Sequence, residues 1–146
     1  MFARAVSDGA EMQKCLEIRR TVFIEEQGVT EELELDGLED ECIHLIAWAA
    51  KPHDHESAVG TARLRIGEDG VAKAQRVAVL SVARRTGVGG VLMKAAEDEA
   101  RKQGATSMEL GAQLTALRFY EAVGYEAFGD DFDDAGIPHR MMRRPL

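Results

Sequence analysis

The sequence is poor in the residues that would mark a disulfide-rich or linker-rich protein. It has two cysteines and three prolines in 146 residues, so neither a disulfide framework nor a proline-rich linker is expected. Cys15 and Cys42 form no CxxC pair and have no metal-ligand spacing, which predicts two reduced structural thiols. These absences favour a globular domain that folds around an apolar core.

The chain also lacks an excess of positive charge and any long apolar run. It carries 18 Lys and Arg against 26 Asp and Glu, a formal net charge of −8, whereas nucleic-acid binding depends on clustered basic residues. No apolar run approaches the roughly 18 residues that cross a membrane, and the N-terminus has no signal-peptide character. We therefore expect a cytoplasmic protein with one domain, residues 1–146, and without a nucleic-acid or membrane partner.

The segments that are present alternate between strand-like and helix-like patterns. Strand periodicity is found at 2–6, 42–50, 58–66, 71–80 and 106–113, and in YEAFG and HRMMRR near the C-terminus. Helical spacing is found at 10–26, 87–103 and 114–123. The acidic stretch 26–41 fits either a loop or a short helix. This order predicts a mixed α/β domain in which antiparallel strands meet a strand–helix–strand unit with parallel strands.

The helical segments carry more detailed expectations. Asp8 and Glu11 have the spacing of a capping box at the start of the first helix. Along the 87–103 helix, i,i+4 spacing predicts ion pairs on the exposed face, between Glu97 and Arg101 and between Asp98 and Lys102. In the 114–123 helix, Phe119 and Tyr120 are expected on the apolar face.

Two polar segments are expected to be solvated rather than to bind metal. DDFDD, residues 130–134, is predicted to be an exposed loop. KPHDHES, residues 51–57, is predicted to be a polar turn, and its two histidines are not expected to ligate a metal. The sequence therefore predicts no metal site.

The glycine-rich stretch RRTGVGG, residues 84–90, lies between a predicted strand and a predicted helix. Free backbone N–H groups and the helix dipole make such a junction an anion site, and glycine allows a phosphate to approach the backbone. The stretch is not a Walker loop, because no Lys-Ser or Lys-Thr pair follows the glycines. It also fails the dinucleotide fingerprint GxGxxG, whose third glycine is replaced by Leu92.

The stretch matches a third phosphate-binding pattern. The pattern [Q/R]xxGxG, here Arg84, Gly87 and Gly89 after RVAVL, resembles motif A of the GNAT acetyltransferases. LTALRFYEAVGYE matches the AxxxYxxxGF-type segment of that family, with Ala116, Tyr120, Gly124 and Tyr125 in place. The two ends of the chain are similar to the small single-domain branch grouped with the YjcF and ElaA proteins. The resemblance implies an α/β fold, with a mixed sheet of six to seven strands, about four helices and a cofactor cleft between two splayed parallel strands.

The resemblance also implies acetyl-CoA as cosubstrate and assigns residues to it. The pyrophosphate is expected on the loop residues Arg84, Arg85, Thr86, Gly87, Val88, Gly89 and Gly90. The pantetheine arm is expected on the backbone of Val77, Ala78 and Val79, which would also polarise the thioester carbonyl. Gln113 stands where many members carry an Asn that binds this arm. Tyr120 is expected to protonate the thiolate that leaves, and a core aromatic is the alternative.

The base that deprotonates the acceptor amine stays open at this stage. His139, at the start of the last predicted strand, is favoured because similar small-molecule acetyltransferases carry a base there. His44, Glu26 and direct attack without a protein base are the alternatives. Arg19 either lines the acceptor cleft or pairs with a carboxylate such as Glu26 or Asp36. Arg76 could bind an acidic acceptor and the acidic run 31–41 a cationic one, so the charge of the acceptor is undecided.

The favoured function is N-acetylation of a primary amine on a small molecule. Acetylation of a peptide or protein is one alternative, and a non-catalytic acyl-CoA-binding regulatory domain is another. A homodimer is common among similar proteins, and that resemblance is the only support for one here.

Overall fold

The computed structural model describes residues 1–50 and 57–146, which form a seven-stranded sheet with helices on both faces. The strand order is β1-β2-β3-β4-β5-β7-β6. The strands are β1 Phe2–Ala5, β2 Ile43–Trp48, β3 Ala58–Ile66, β4 Val71–Val79, β5 Ser107–Gln113, β6 Glu126–Asp134 and β7 Ile137–Pro145.

The helical segments in the described residues follow the predicted positions. The α-helices are α1 Gly9–Arg19, α2 Glu31–Glu34, α3 Val88–Lys102 and α4 Leu117–Ala122. The predicted helix 10–26 changes type near its middle, because Arg20–Glu26 is π-helical. The acidic stretch that could not be assigned contains α2 and a 3₁₀ turn at Glu39–Glu41. Half of the predicted capping box forms at Asp8, whose side chain accepts from the Glu11 N–H at 2.8 Å, whereas the Glu11 carboxylate accepts from the Ser7 N–H.

The predicted meeting of antiparallel and parallel strands is confirmed. Strands β1 to β4 are antiparallel neighbours, and β4 then pairs with β5 in parallel. The parallel pairing covers three residues and ends at Lys73 and Glu109. Beyond this point β4 and β5 diverge, so the edge of β4 that faces β5 is unpaired over the rest of the strand.

The core is divided between the two faces of the sheet. On one face α3 packs on the sheet through residues such as Leu92, Met93 and Ala96, all fully buried. On the other face α1 packs through Cys15 and Ile18 against a smaller cluster. Burial raises the pKa of the Cys15 thiol to about 11, so Cys15 behaves as a buried apolar residue.

Three local predictions are wrong. Asp98 pairs with Lys94 and Arg101, and the buried Glu97 accepts from Tyr125 and Arg144 instead of facing Arg101. The i,i+4 spacing predicted that Glu97 would pair with Arg101, but Glu97 lies on the side of α3 that faces the last strand. DDFDD is the second half of strand β6 rather than a loop, although all five of its residues are exposed. Phe119 is 37% exposed rather than on the buried face of its helix.

A network of ion pairs holds the acidic segment against the sheet. Arg19 Nε donates to Glu34 at 2.7 Å, and Arg63 donates to both carboxylate oxygens of Asp36 at 2.8 Å. The hydrogen bonds from Arg63 hold the pKa of Asp36 well below its usual range. The Glu39 carboxylate accepts from Arg19 at 2.9 Å. These contacts neutralise three acidic side chains of the segment and hold it against helix α1 and strand β3.

Two further observations concern the described residues only. None of the helices in residues 1–50 and 57–146 combines the length and hydrophobicity needed to span a membrane. Within the same residues no group of three potential metal ligands comes together. Most of the predicted polar turn KPHDHES, with both of its histidines, lies outside the described residues.

Candidate active site

A cavity of about 680 Å³ opens where strands β4 and β5 diverge. Its walls are the diverging halves of these two strands, the end of β6, the start of β7, helix α4 and the segment 22–34. The predicted site residues that line it are Arg76, Val77, Ala78, Val79, Arg84, Gln113, Tyr120 and His139. The fold therefore brings residues from distant parts of the sequence to one cavity.

Strand β4 carries an irregularity at the cavity wall. Gln75 pairs with Arg63 and Ala78 with Thr61, so Arg76 and Val77 together face one residue of β3. Arg76 has a φ of +52°. Such a bulge interrupts the hydrogen-bond ladder and turns backbone groups away from the neighbouring strand. Because β5 has already diverged, backbone groups here are available to a bound molecule.

The glycine-rich loop has two residues with positive φ and leads into the uncapped N-terminus of α3. Gly87, with a φ of +94°, precedes α3, and Arg85 has a φ of +63°. No side chain caps the N-terminus of α3, so the first N–H groups of a 15-residue helix remain available to an anion. Gly89 lies in the first turn, where a Cβ atom would lie 3.1 Å from the Phe119 ring. The loop backbone is therefore open to a ligand and closely packed against α4.

Arg84 connects this loop to the opposite wall of the cavity. Its Nε donates to the Val79 carbonyl at 2.9 Å, and its Nη2 donates to Glu26 at 2.7 Å. Arg84 lines the cavity, whereas the other predicted loop residues do not. The hydroxyl of Thr86 donates to the Ala83 carbonyl and stabilises the turn.

Tyr120 is held in an apolar environment at one end of the cavity. Its ring makes edge contacts with Phe119 and Tyr125, with ring centroids 4.9 Å and 5.8 Å away. Burial raises the pKa of the Tyr120 phenol above its usual range. The phenol therefore stays protonated at neutral pH and can donate a proton or a hydrogen bond into the cavity.

His139 lies on β7 directly opposite Gln113 of β5. Its Nδ1 lies 2.6 Å from the Ile137 carbonyl, which can only accept, so Nδ1 carries a proton, and in the neutral imidazole Nε2 bears the free lone pair. The imidazole stacks on Phe132 with an interplanar angle of 28°. His139 is buried and lines the cavity, which is the arrangement of a side chain that can accept a proton from a bound molecule.

Gln113 forms a reciprocal amide pair across the cavity. Its Nε2 donates to Gln27 Oε1 at 3.0 Å, and Gln27 Nε2 donates back at 3.4 Å. Both residues line the cavity. The pair joins the end of the π-helical segment to β5 and fixes the orientation of the Gln113 amide.

Three candidates from the sequence lie outside the cavity wall. Arg19 is 1% exposed and pairs with carboxylates, which confirms the second interpretation, although the partners are Glu34 and Glu39 instead of Glu26 or Asp36. His44 Nε2 hydrogen-bonds to the Glu39 carbonyl at 2.8 Å, as an interior histidine with a partner would. Glu26 pairs with Arg84 rather than facing the acceptor.

The structure also places in the cavity wall residues that sequence reasoning missed. Phe132 lies between four aspartates in DDFDD. The segment was therefore predicted to be a solvated loop, and Phe132 was not predicted to line a site. Gln27 and Leu33 lie in the acidic stretch that could not be assigned. Strand alternation in 130–134 could have identified Phe132, because it shares a face with His139 across the β6–β7 pair.

Comparisons with known proteins identify the family of the chain. The model of the acetyltransferase (GNAT) domain family matches residues 17–146. The Bacillus subtilis (strain 168) protein described as the uncharacterized N-acetyltransferase YjcF is 39% identical over 145 residues, which cover 99% of each chain. The expected similarity to the YjcF branch is confirmed.

Two solved structures confirm the fold. Escherichia coli ElaA superimposes with a TM-score of 0.80 at 24% identity, covering 97% of each chain. An aminoglycoside 6'-N-acetyltransferase complexed with coenzyme A superimposes with a TM-score of 0.75 at 16% identity, covering 99% of this chain and 97% of the other. At these identities the likeness concerns the fold, which is the expected mixed sheet with a parallel β4–β5 pair. The family match and the full-length similarity to YjcF show that the chain belongs to the GNAT family and is a GNAT-type N-acetyltransferase.

Proposed function

We propose that the protein transfers the acetyl group of acetyl-CoA to a primary amine of a small molecule. The observation that carries the proposal is one continuous cavity that joins the cofactor side, at Val79 and Arg84, to a buried histidine with a free Nε2. A GNAT homologue is known in complex with coenzyme A. The uncapped start of α3 and the interrupted ladder of β4 fit the pyrophosphate and the pantetheine arm of such a cosubstrate.

The cosubstrate supplies a thioester, and the residues of this chain act on what surrounds it. Backbone N–H groups at Val77 to Val79 bind the arm and polarise the carbonyl oxygen. The loop 84–90 holds the pyrophosphate through its backbone, and the helix dipole of α3 adds positive potential there. These contacts orient the acetyl group at the level of Gln113 and His139, which pair across β5 and β7.

Proton transfer is assigned to two side chains. An alkyl ammonium has a pKa of about 10.4, so at neutral pH a base must remove a proton before the nitrogen can attack. The free Nε2 of His139 accepts this proton, either directly or through a water molecule. Tyr120 remains protonated because it is buried, and its hydroxyl donates to the sulfur that leaves. The amide pair of Gln113 and Gln27 closes the cavity beside these groups.

The direct test measures the release of the CoA thiol from acetyl-CoA with a panel of primary amines. Turnover with at least one amine, together with saturable binding of acetyl-CoA by calorimetry, is the expected result. Tight binding of acetyl-CoA without turnover on any amine would instead favour an acyl-CoA-binding domain that does not catalyse transfer. Absence of binding would contradict the assignment of the loop itself.

A further inference from the structure

We propose that the acceptor is a primary amine with an apolar body, an alkyl or aryl group, and without an anionic group. This proposal rests on the acetyl transfer proposed above and concerns the other part of the same cavity. We call this part the acceptor half, lined by Leu33, Gly111, Phe132, Ile137 and Met141 together with the charged side chains considered next. The proposal depends on which charges there are already balanced and on which apolar groups are exposed.

The cations of the cavity are balanced by acidic neighbours. Among the described residues, the cations that line the cavity are Lys73, Arg76 and Arg84. Arg76 lies 2.7 Å from the buried Glu34 carboxylate and 3.4 Å from Asp36. Its Nη2 also donates to the carbonyl groups of Leu33 and Glu34 at 3.3 Å.

The other two cations offer no better site for an anion. Lys73 stands in register with Glu109 on the adjacent parallel strand, and Arg84 is held by Glu26 at the cofactor side. Asp134 adds a further negative charge to the wall. An acceptor with a carboxylate or phosphate would therefore find Arg76 and Arg84 already paired, and at Lys73 only an exposed ammonium whose charge water screens, so it would lose hydration with little compensation.

A second positive charge on the acceptor is not favoured either. Glu109 is flanked in register by Lys73 on β4 and by Arg143 on β7. Asp134 is exposed, where water screens its charge. The acidic segment, which had suggested a cationic acceptor, has Glu34, Asp36 and Glu39 paired with arginines.

The acceptor half instead offers apolar surface to a ligand. Leu33 is 58% exposed and Phe132 is 38% exposed, although both line the cavity. The Phe132 ring covers Gly111, where a Cβ atom would lie 3.3 Å from Phe132 Cζ, and it stacks on His139. An apolar body on the amine would cover these side chains and bring the nitrogen towards His139. Each added methylene that becomes buried should then increase kcat/KM by about fourfold.

The test compares primary amines of similar basicity, one with three carbons and three with six carbons that differ in their terminal group. We expect kcat/KM to increase from propylamine to hexylamine, and hexylamine to exceed 6-aminohexanoate and 1,6-diaminohexane. Binding of the same four amines to the CoA-loaded protein is measured by calorimetry, so that the preference is tested even without turnover. If no amine is acetylated but hexylamine still binds more tightly than the others, the acetyl-transfer function fails and the inference about the acceptor half stands.

Two matched pairs of variants locate the preference. Leu33→Ser should lower the affinity for hexylamine several-fold and leave that for propylamine nearly unchanged, whereas Leu35→Ser, also exposed but outside the cavity, should change neither. The second pair is on strand β6. Phe132→Leu should lower the affinity for hexylamine, whereas Phe128→Leu should not, because Phe128 lies against Arg143 instead of lining the cavity. Equal rates and affinities for propylamine and hexylamine would overturn the proposal. So would a preference for 6-aminohexanoate or the diamine, or equal effects of Leu33→Ser and Leu35→Ser.

Discussion

At the scale of single residues, the tautomer of His139 is set by a nearby backbone carbonyl. The Ile137 carbonyl, two residues earlier, accepts from Nδ1 and thereby selects the tautomer with a free Nε2. Phe132 fixes the plane of the ring from the other side. Neither contact can be recognised in GIPHRM as a sequence, since one depends on the turn into β7 and the other on the pairing of β6 with β7.

His139→Gln should therefore lower kcat/KM for amine acetylation by about 10²- to 10⁴-fold, because general-base catalysis typically contributes that factor. Acetyl-CoA affinity should not change. An unchanged rate at pH 7 would remove His139 as the base, and His44→Gln serves as the control at a buried histidine outside the cavity.

At the scale of elements, the start of α3 provides the test of the cofactor loop. Gly89→Glu should abolish binding of acetyl-CoA, because a carboxylate in the first turn would repel the pyrophosphate. The fold should persist, since an acidic residue near a helix N-terminus is favourable and the Phe119 ring that the new side chain meets is partly exposed.

Gly89→Ala separates steric from electrostatic effects in this test. Its Cβ meets the same ring at 3.1 Å but adds no charge. Isothermal titration of both variants with acetyl-CoA is the measurement. If Gly89→Glu keeps wild-type affinity, the loop does not bind the pyrophosphate; if Gly89→Ala loses as much affinity as Gly89→Glu, the packing against α4 is responsible.

The π-helical segment Arg20–Glu26 makes a second prediction at this scale. Glu26 holds Arg84 at 2.7 Å and places a negative charge beside the expected pyrophosphate. Glu26→Gln should therefore increase the affinity for acetyl-CoA by a few-fold. Stability should change little, because partly exposed ion pairs contribute about 0–1 kcal/mol.

Glu31→Gln is the control for this prediction. Glu31 also pairs with an arginine at an exposed position, but its partner Arg20 does not line the cavity, whereas Arg84 does. A lower affinity for acetyl-CoA in Glu26→Gln alone would mean that the ion pair orients Arg84 for binding rather than competing with the cosubstrate.

At the scale of the whole molecule, one buried carboxylate joins strand β1 to helix α1. Both oxygens of Glu11 accept from Arg4, at 2.9 Å and 2.7 Å, and Oε1 also accepts from the Ser7 N–H and hydroxyl. The hydrogen bonds from Arg4, with those from Ser7, lower the pKa of Glu11 from 4.5 to about 2. The folded state therefore binds the proton less readily than the unfolded chain does.

The sign of the resulting pH dependence follows from linkage. A carboxyl whose pKa is lowered in the folded state stabilises it fully above its usual pKa, and this contribution is lost as pH falls from about 4.5 to about 2. In Glu11→Gln the free energy of unfolding at pH 7 should be lower and its decrease in this acid range shallower than in the wild type. Urea unfolding monitored by circular dichroism at several pH values measures both. Glu121→Gln, at an exposed position, should retain the wild-type slope; if Glu11→Gln does so as well, the Arg4 contact does not stabilise the folded state through this carboxyl.

Local patterns in the sequence were sufficient for most of the secondary structure. Alternation of apolar residues located β3 to the residue, and helical spacing with a glycine on each side located α3 to within a residue or two. The phosphate-type loop was recognisable because its glycines are neighbours in the chain. Such signals depend on backbone conformations and periodicities that act over a few residues, so the sequence displays them directly.

Only the tertiary structure decided which side chains share the cavity and which charges are neutralised. Arg76 and the acidic run suggested opposite acceptors from sequence, and the fold pairs them with each other. Phe132 and Gln27 join the site through strand pairing and through an amide contact between residues 86 positions apart. The sequence by itself determined most of the elements, the family and the glycine-rich stretch proposed to bind the cosubstrate, because these are local. The charge and shape of the acceptor half depend on contacts between distant segments, which exist only once the chain has folded.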